Sequence, residues 1–339
     1  MEQIFISEGF ERGRVIAEHK ELYIVRTEIG EIEAEVTGNM RFTAQGREDF
    51  PAVGDWVALK IYSNSFGIIH KIFPRSSCIK RESTGKQSDV QIIGANIDYA
   101  LLVQAVDRDF NLNRLERYLI ICNESKVSPI IVMTKTDTIS DISVEEIRQR
   151  ICDRITGVPV VFISNETRKG YPELLTLIKE GKTYCLLGSS GVGKSTLINN
   201  LTGRELMKTG EIGSQTNKGR HTTTHRELFF LENGAVLIDN PGMREVGIAN
   251  SSAGMETTFD TIYHLARGCR YTDCTHTNES GCKVLNALSK GDLNVELYNN
   301  YMKMEKERSF FELSELEKRK RDRSFGMMLK NYKKEHRKK

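Results

Sequence analysis

The residues with the clearest chemistry run Gly188-Ser189-Ser190-Gly191-Val192-Gly193-Lys194-Ser195-Thr196 and fit the pattern G-x-x-x-x-G-K-[ST]. They follow the apolar run TYCLL and open the helical run STLINNLTG, the strand-loop-helix setting a phosphate loop needs. Glycines let backbone N–H groups approach phosphate oxygens, Lys194 reaches the β and γ oxygens as a point charge, and the Ser195 hydroxyl is placed for Mg²⁺.

ATPases, kinases and GTPases all use such a loop, so a base-reading element must decide among them. Thr134-Lys135-Thr136-Asp137, ending the apolar run PIIVM, is similar to the guanine-reading N-K-x-D element. The Asp137 carboxylate could accept from both N1 and the exocyclic amino group of guanine, a pair adenine does not offer, while the Lys135 stem could lie along the ring. Ser164, ending VPVVFIS, is a weaker third guanine-side match, with Asn165 where alanine is usual. Asp239-Asn240-Pro241-Gly242 fits D-x-x-G, whose Asp reaches Mg²⁺ and whose Gly senses the γ-phosphate. Upstream, Gly219-Arg220-His221-Thr222-Thr223-Thr224 offers threonine hydroxyls for Mg²⁺, Thr223 being the one assigned, and a histidine that could order the attacking water.

The order of these pieces is informative. The guanine-reading element ordinarily follows the phosphate loop and D-x-x-G, whereas here Asp137 precedes Lys194, so the GTPase domain is circularly permuted. The chain beyond Gly242 is then tied directly to nucleotide state. That C-terminal segment contains Cys269, Cys274, His276 and Cys282 in the spacing C-x-x-x-x-C-x-H-x-x-x-x-x-C. Three thiolates and an imidazole match a closed, four-coordinate structural zinc site, one per chain; unligated buried cysteines are the alternative. Beyond it, Lys318 to Lys339 holds 11 Lys or Arg against 2 Asp or Glu, a local charge of +9 that suits RNA unless it is merely a solvated helix end.

The elements that must position these residues are legible in outline. Up to about residue 75, the alternating runs GRVIAEH, LYIVRT, EIEAEV, DWVALKI and GIIHKIF suit a five-stranded OB-like β-barrel, with Trp56 in its core; the pattern itself fixes neither topology nor ligand. From Ile97 onward, YALLVQAV, PIIVMT, VPVVFIS, TYCLLG and AVLIDN alternate with helical stretches, the signature of a parallel α/β sheet. The expected organisation is a multidomain α/β protein: an OB-like barrel over 1–75, a permuted phosphate-loop GTPase domain over 76–249, and a zinc-binding helical module with a basic tail over 250–339. At 339 residues, 39% hydrophobic and 28% charged, the chain has room for these domains and reads as globular rather than disordered. With no spanning run or signal-peptide pattern and an odd number of cysteines (7), a cytoplasmic protein without membrane association or a disulfide framework is expected. Nothing forms a long heptad pattern, so a monomer is expected.

With these residues in hand, the chain resembles the ribosome small-subunit-dependent GTPase A family, RsgA, over nearly its whole length. The marks are the order of Thr134-Lys135-Thr136-Asp137 before GSSGVGKST, the run GRHTTT, Asp239-Asn240-Pro241-Gly242 and the Cys/His spacing. The resemblance implies Mg²⁺-dependent hydrolysis of GTP to GDP and phosphate, stimulated by the small ribosomal subunit, contact with its rRNA, and a role in its late maturation. Two departures from the general GTPase pattern matter. Thr134 stands where asparagine is usual, offering one hydroxyl in place of an amide. Met243 follows Gly242 where many regulatory GTPases carry a water-orienting glutamine, so intrinsic turnover should be slow, with His221 the candidate for that role. Met243 also favours a competing reading, a non-catalytic RNA-binding assembly factor with a structural nucleotide site; a third, an ATP-dependent phosphotransferase, is opposed by Asp137. In a GTP-against-ATP competition titration, Lys194→Ala should abolish binding of both nucleotides, and Asp137→Asn should cut the preference for GTP by roughly 10- to 100-fold, the loss of charge-assisted hydrogen bonds.

Overall fold

Alternation of apolar and polar residues curls the first five strands into a barrel. In the computed structural model, which describes residues 9–19, 22–63, 65–82, 90–107, 109–205, 227–239, 248 and 251–312, these are β1 (Glu11–His19), β2 (Leu22–Thr27), β3 (Gly30–Val36), β4 (Trp56–Ser63) and β5 (Phe66–Ile72). The closed order is β1-β2-β3-β5-β4, antiparallel throughout except for the parallel β3–β5 pair. A short helix, α1 (Gly38–Thr43), occupies the β3–β4 crossover. This is the five-stranded OB arrangement expected from the sequence. Val15, Tyr23, Val25, Val57, Leu59 and Ile69 fill it. Trp56 corrects its expected place in the core: it is only half-buried, with the guanidinium of Arg12 stacked 4.0 Å above its ring and that of Arg14 at 5.3 Å.

A hairpin the sequence reading did not anticipate, β6 (Cys78–Glu82) with β7 (Val90–Ala95), leads out of the barrel. The sheet beyond consists of β8 (Tyr99–Ala105), β9 (Ser128–Thr134), β10 (Val160–Phe162), β11 (Thr183–Leu187), β12 (Leu228–Phe230) and β13 (Val236–Ile238), in the order β10-β9-β8-β11-β13-β12. All neighbours are parallel except β12, an antiparallel edge strand that amends the all-parallel expectation. Parallel strands require crossovers. Helices α2 (Leu112–Glu124), α3 (Asp141–Cys152) and α4 (Tyr171–Leu177) lie in three of them, and α5 (Lys194–Thr202) follows β11. The core beneath joins Leu101, Val103, Ile130, Val132, Leu186 and Leu197.

The chain divides into two compact units, Met1–Gly247 with Ala253–Thr258, and Ile248–Ser252 with Phe259–Lys339. Barrel and sheet share the first. Across their contact Arg14 of β1 donates to Thr183 Oγ1 of β11 at 2.7 Å, and desolvation lowers its pKa to about 10 against the pull of Asp98 and Asp55, while Arg26 of β2 lies over the Phe230 ring of β12. Helix α6 (Ser252–Thr258) returns to the first unit, where the Gly254 N–H donates to Glu124 Oε2 at 2.8 Å. The second unit contains α7 (Asp260–Ala266), α8 (Lys283–Lys290) and α9 (Val295–Glu312), with Phe259, Ile262, Val284, Tyr301 and Met304 buried.

At the foot of the barrel Asp55 is fully buried, accepting from the Ala52 N–H at 2.8 Å and from Arg75 Nη2 at 2.7 Å. Arg75 also donates to the carbonyls of Glu48 and Phe50. Asp55→Ala leaves that guanidinium without its counter-charge and should cost about 3 kcal/mol, read as a lowered urea midpoint.

Candidate functional site

Loops gather at the carboxyl ends of parallel strands, and β8, β9, β10, β11 and β13 all deliver their ends to one edge of the sheet. Gly188 leaves β11 so close to β8 that a Cβ would stand 2.3 Å from the Val103 carbonyl oxygen, and Gly193 turns into α5 at φ +90°. Only glycine suits either place. Lys194 is buried, its Nζ donating to the Gly188 carbonyl at 2.9 Å and to that of Ser189. From α2, capped by the Asn111 side chain on the Arg114 N–H, Arg114 donates to Ser189 Oγ at 2.7 Å and to Asp109 Oδ1 at 2.8 Å. Ser195 and Thr196 open α5 half-buried.

Thr134, fully buried at the end of β9, spans the two sides of the site. Its hydroxyl lies 2.6 Å from the Val192 carbonyl and 3.2 Å from that of Gln104. Lys135 adopts the left-handed conformation (φ 62°), unusual for a side-chain-bearing residue, and its Nζ pairs with Asp107 Oδ2 at 2.9 Å. The following turn, Thr136–Thr138, leaves the Thr136 hydroxyl buried without a partner among the described residues and the Asp137 carboxylate exposed. Those are the polar groups this loop retains for a base. The third loop joins them: Ser164 Oγ accepts from the Glu166 and Thr167 N–H groups, and Asn165 Nδ2 donates to the Gly193 carbonyl at 3.0 Å.

Asp239 is buried one residue beyond β13, whose Ile238 pairs with Cys185 of β11. The Asp239 carboxylate and the Ser195 hydroxyl therefore follow neighbouring strands, and both are the hard oxygen donors Mg²⁺ prefers. His221, Thr222, Thr223, Thr224, Gly242 and Met243 lie outside the described residues, as does the basic tail from Lys318.

In the second unit the ligating atoms of Cys269, Cys274, His276 and Cys282 all fall within 4.8 Å of one another. Cys269 Sγ and Cys282 Sγ stand 3.9 Å apart, with His276 Nδ1 3.7 and 3.4 Å from them. A tetrahedral zinc with bonds of about 2.3 Å to sulfur and about 2.0 Å to nitrogen sets its ligand atoms roughly 3.5 to 3.8 Å apart. The cluster fits one structural zinc. Backbone N–H groups of Lys283 and Leu285, at the start of α8, donate to Cys269 Sγ and Cys282 Sγ at 3.4 Å each, compensating thiolate charge. Glu279 accepts from the Thr275 hydroxyl and from the N–H groups of Thr275, Thr277 and Asn278, and the bonds from the Thr275 hydroxyl and N–H are the main reason its pKa is lowered to about 2.

Fold and site together define a circularly permuted phosphate-loop GTPase flanked by an OB-type barrel and a Cys3His zinc unit. Comparison with known proteins agrees. The family model for the RsgA GTPase matches residues 72–249. A Listeria innocua protein named small ribosomal subunit biogenesis GTPase RsgA 1 is 43% identical over 299 residues, 88% of this chain and 84% of that one. A Lactiplantibacillus plantarum protein, small ribosomal subunit biogenesis GTPase RsgA 2, is 42% identical over 88% of its own length and 93% of this chain. Among solved structures, YloQ, described as a circularly permuted GTPase, superposes with a TM-score of 0.63 at 25% identity, covering 90% of this chain and 97% of that one. YjeQ from Thermotoga maritima shares the fold at TM-score 0.64 and 24% identity, over 87% and 97%. The chain belongs to the RsgA GTPase family, and it hydrolyses GTP with Mg²⁺.

Sequence reasoning missed Asp107, Arg114 and the part played by Asn165. Asp107 had a signal, a carboxylate just past a buried parallel strand. Arg114 and Asn165 had none, because each acts through a contact many residues away in the chain.

Metal analysis of the full chain should find one zinc per molecule. Cys282→Ser removes a ligand that is also the N-cap of α8 and should lower that content severalfold, with a loss of helical signal that a chelator reproduces in the wild type.

Proposed function

We propose that this GTPase binds the small ribosomal subunit and assists its late maturation, hydrolysing GTP in order to leave. The names of its relatives, small ribosomal subunit biogenesis GTPases, support the reading. The observation that carries it is the path of the chain: beyond Asp239, where the D-x-x-G element begins, the polypeptide leads into the unit that holds the zinc cluster. A change at the γ-phosphate is thereby coupled to whatever that unit grips.

In this reading the backbone from Gly188 to Thr196 cradles the phosphates and Lys194 neutralises charge between the β and γ oxygens. Ser195 and Asp239, with Thr223, would hold Mg²⁺, which when bound would stabilise the negative charge that develops on the departing GDP. Asp137 selects guanine, with Thr134, Lys135 and Thr136 framing its loop, and Gly242 registers the γ-phosphate. Met243 lacks a polar group to orient water, so His221 takes that role, its neutral imidazole accepting from the nucleophile. The +9 tail engages rRNA phosphates, and the protein acts as a cytoplasmic monomer. Among the described residues, no helix is long and apolar enough to cross a membrane.

Steady-state phosphate release from GTP, with ATP as control, tests this directly. Purified small subunits should raise the GTP rate at least a hundredfold, within the about 10⁵-fold that completing such a site can supply, and leave ATP untouched. A flat response would overturn the reading, and Lys194→Ala should abolish the stimulated rate.

A further inference from the structure

Peptide planarity gives a phosphate loop a handle on its outer side. In a trans peptide the carbonyl of one residue and the N–H of the next point in opposite directions. A group that holds the Val192 carbonyl therefore turns the Gly193 N–H away from itself, and one that holds the Gly193 carbonyl does the same for the Lys194 N–H. Two side chains from the guanine side occupy these positions. Thr134 Oγ1 donates its single proton to Val192 O, at 2.6 Å the nearer of its two acceptors. Asn165 Nδ2 donates to Gly193 O at 3.0 Å, beside the first helical bond of α5 from the Leu197 N–H at 2.9 Å, so both lone pairs of that carbonyl are used.

The Asn165 amide has only one consistent orientation. Its own main-chain carbonyl, which can only accept, is 2.9 Å from the Asn200 amide, which fixes the nitrogen of Asn200 on that side. The same nitrogen donates to the Tyr171 hydroxyl at 2.7 Å, so the phenolic proton is free to go to Asn165 Oδ1 at 2.8 Å. That leaves Asn165 Nδ2 facing the loop. Tyr171 is buried, and Arg168 both covers its ring and donates to the Asn200 carbonyl, so the network is held from two sides. Gly193 completes the fit: a Cβ there would stand 2.6 Å from Asn165 Nδ2, a space that glycine alone leaves open.

We propose that Asn165 is a positioning residue for the phosphates of GTP and GDP. With Thr134 it forms a two-point clasp that aims the Gly193 and Lys194 N–H groups at the anion, and it supplies the donor that a threonine at 134 lacks. The proposal rests on Gly188–Thr196 being the phosphate loop, and it assigns Asn165 no part in reading the base.

The test is displacement of a fluorescent GDP analogue from the full chain by GTP, GDP, guanosine and ATP. Asn165→Ala should weaken GTP and GDP alike by about tenfold, the loss of one positioning hydrogen bond, while guanosine binds as before and the GTP-over-ATP preference stays at the wild-type ratio. Asn165→Asp keeps the shape and the bond from Tyr171 but sets a carboxylate oxygen against the Gly193 carbonyl, and should weaken both nucleotides further. This second variant carries the test if the alanine variant does not fold. Undiminished GDP affinity in a folded variant, an equal loss for guanosine, or a collapse of the GTP-over-ATP preference overturns the proposal. A wild-type chain that bound no GTP would instead overturn the phosphate-loop reading beneath it.

Discussion

The hydroxyl of Thr134 lies 2.6 Å from the carbonyl of Val192, joining residues 58 apart in the chain, and the geometry of the nucleotide site hangs on that approach. A phosphate loop is a run of backbone with little side chain to hold it, so its shape must be imposed from outside. Here the imposition comes from the strand ends. β9 is separated from β11 by β8 in the sheet, and the loops that follow β9 and β10 reach across to the carbonyls that precede α5. Every such bond is made by a buried or half-buried group in a low-dielectric setting, where an unmade partner is costly. The loop's shape is thus held by the protein's own groups.

Permutation leaves this arrangement intact because a sheet depends on which strands are neighbours and not on where the chain is cut. The order β10-β9-β8-β11-β13-β12 puts the phosphate-loop strand in the interior and the Asp239 strand beside it, although β8 to β10 come first in sequence. The cut does change what is attached. The segment beyond Asp239 is free to enter another unit, and α6 then comes back to seat against α2, where a Cβ on Gly254 would lie 2.2 Å from the Ile120 carbonyl and Asn123 bonds Thr258. The same helix α2 carries Arg114 to Ser189 of the phosphate loop. One rigid element therefore touches both the loop and the chain that leaves for the zinc unit.

Much of this was legible in the sequence, for reasons that also explain the rest. All five barrel strands follow from alternation, since burial of one face leaves its period in the sequence. The phosphate loop, Asp239 and the Cys/His set were legible because each is a local motif whose spacing carries its chemistry. The β6–β7 hairpin and the antiparallel β12 were not, being short runs without a clear period, and Trp56 was misplaced because aromatic character does not distinguish a core from a surface where two arginines stack. Thr134 shows the limit well. In sequence it looks like a weakened motif; in space its shorter side chain reaches the carbonyl that matters, and Asn165 from another loop supplies the second bond. Compensation between distant residues leaves no mark in either segment alone.

The zinc cluster obeys a related logic in the second unit, whose described elements are the three helices α7, α8 and α9 with no sheet beneath them. A small unit buries too little surface to offset its chain entropy, and a metal supplies the difference. Holding three sulfurs and an imidazole so close would be repulsive unless charge were compensated, and the sequence places Cys282 as the N-cap of α8 so that backbone N–H groups face the sulfurs. His276 is bent into the left-handed conformation (φ 60°), and Glu279 ties down the backbone on both sides of it through Thr275, Thr277 and Asn278. Tyr298 of α9 donates to the His276 carbonyl at 2.7 Å, which links the metal loop to the long helix. The metal, the loop and α9 therefore depend on one another: the zinc fixes the loop, Glu279 and Tyr298 brace it, and α8 supplies the N–H groups that face the sulfurs.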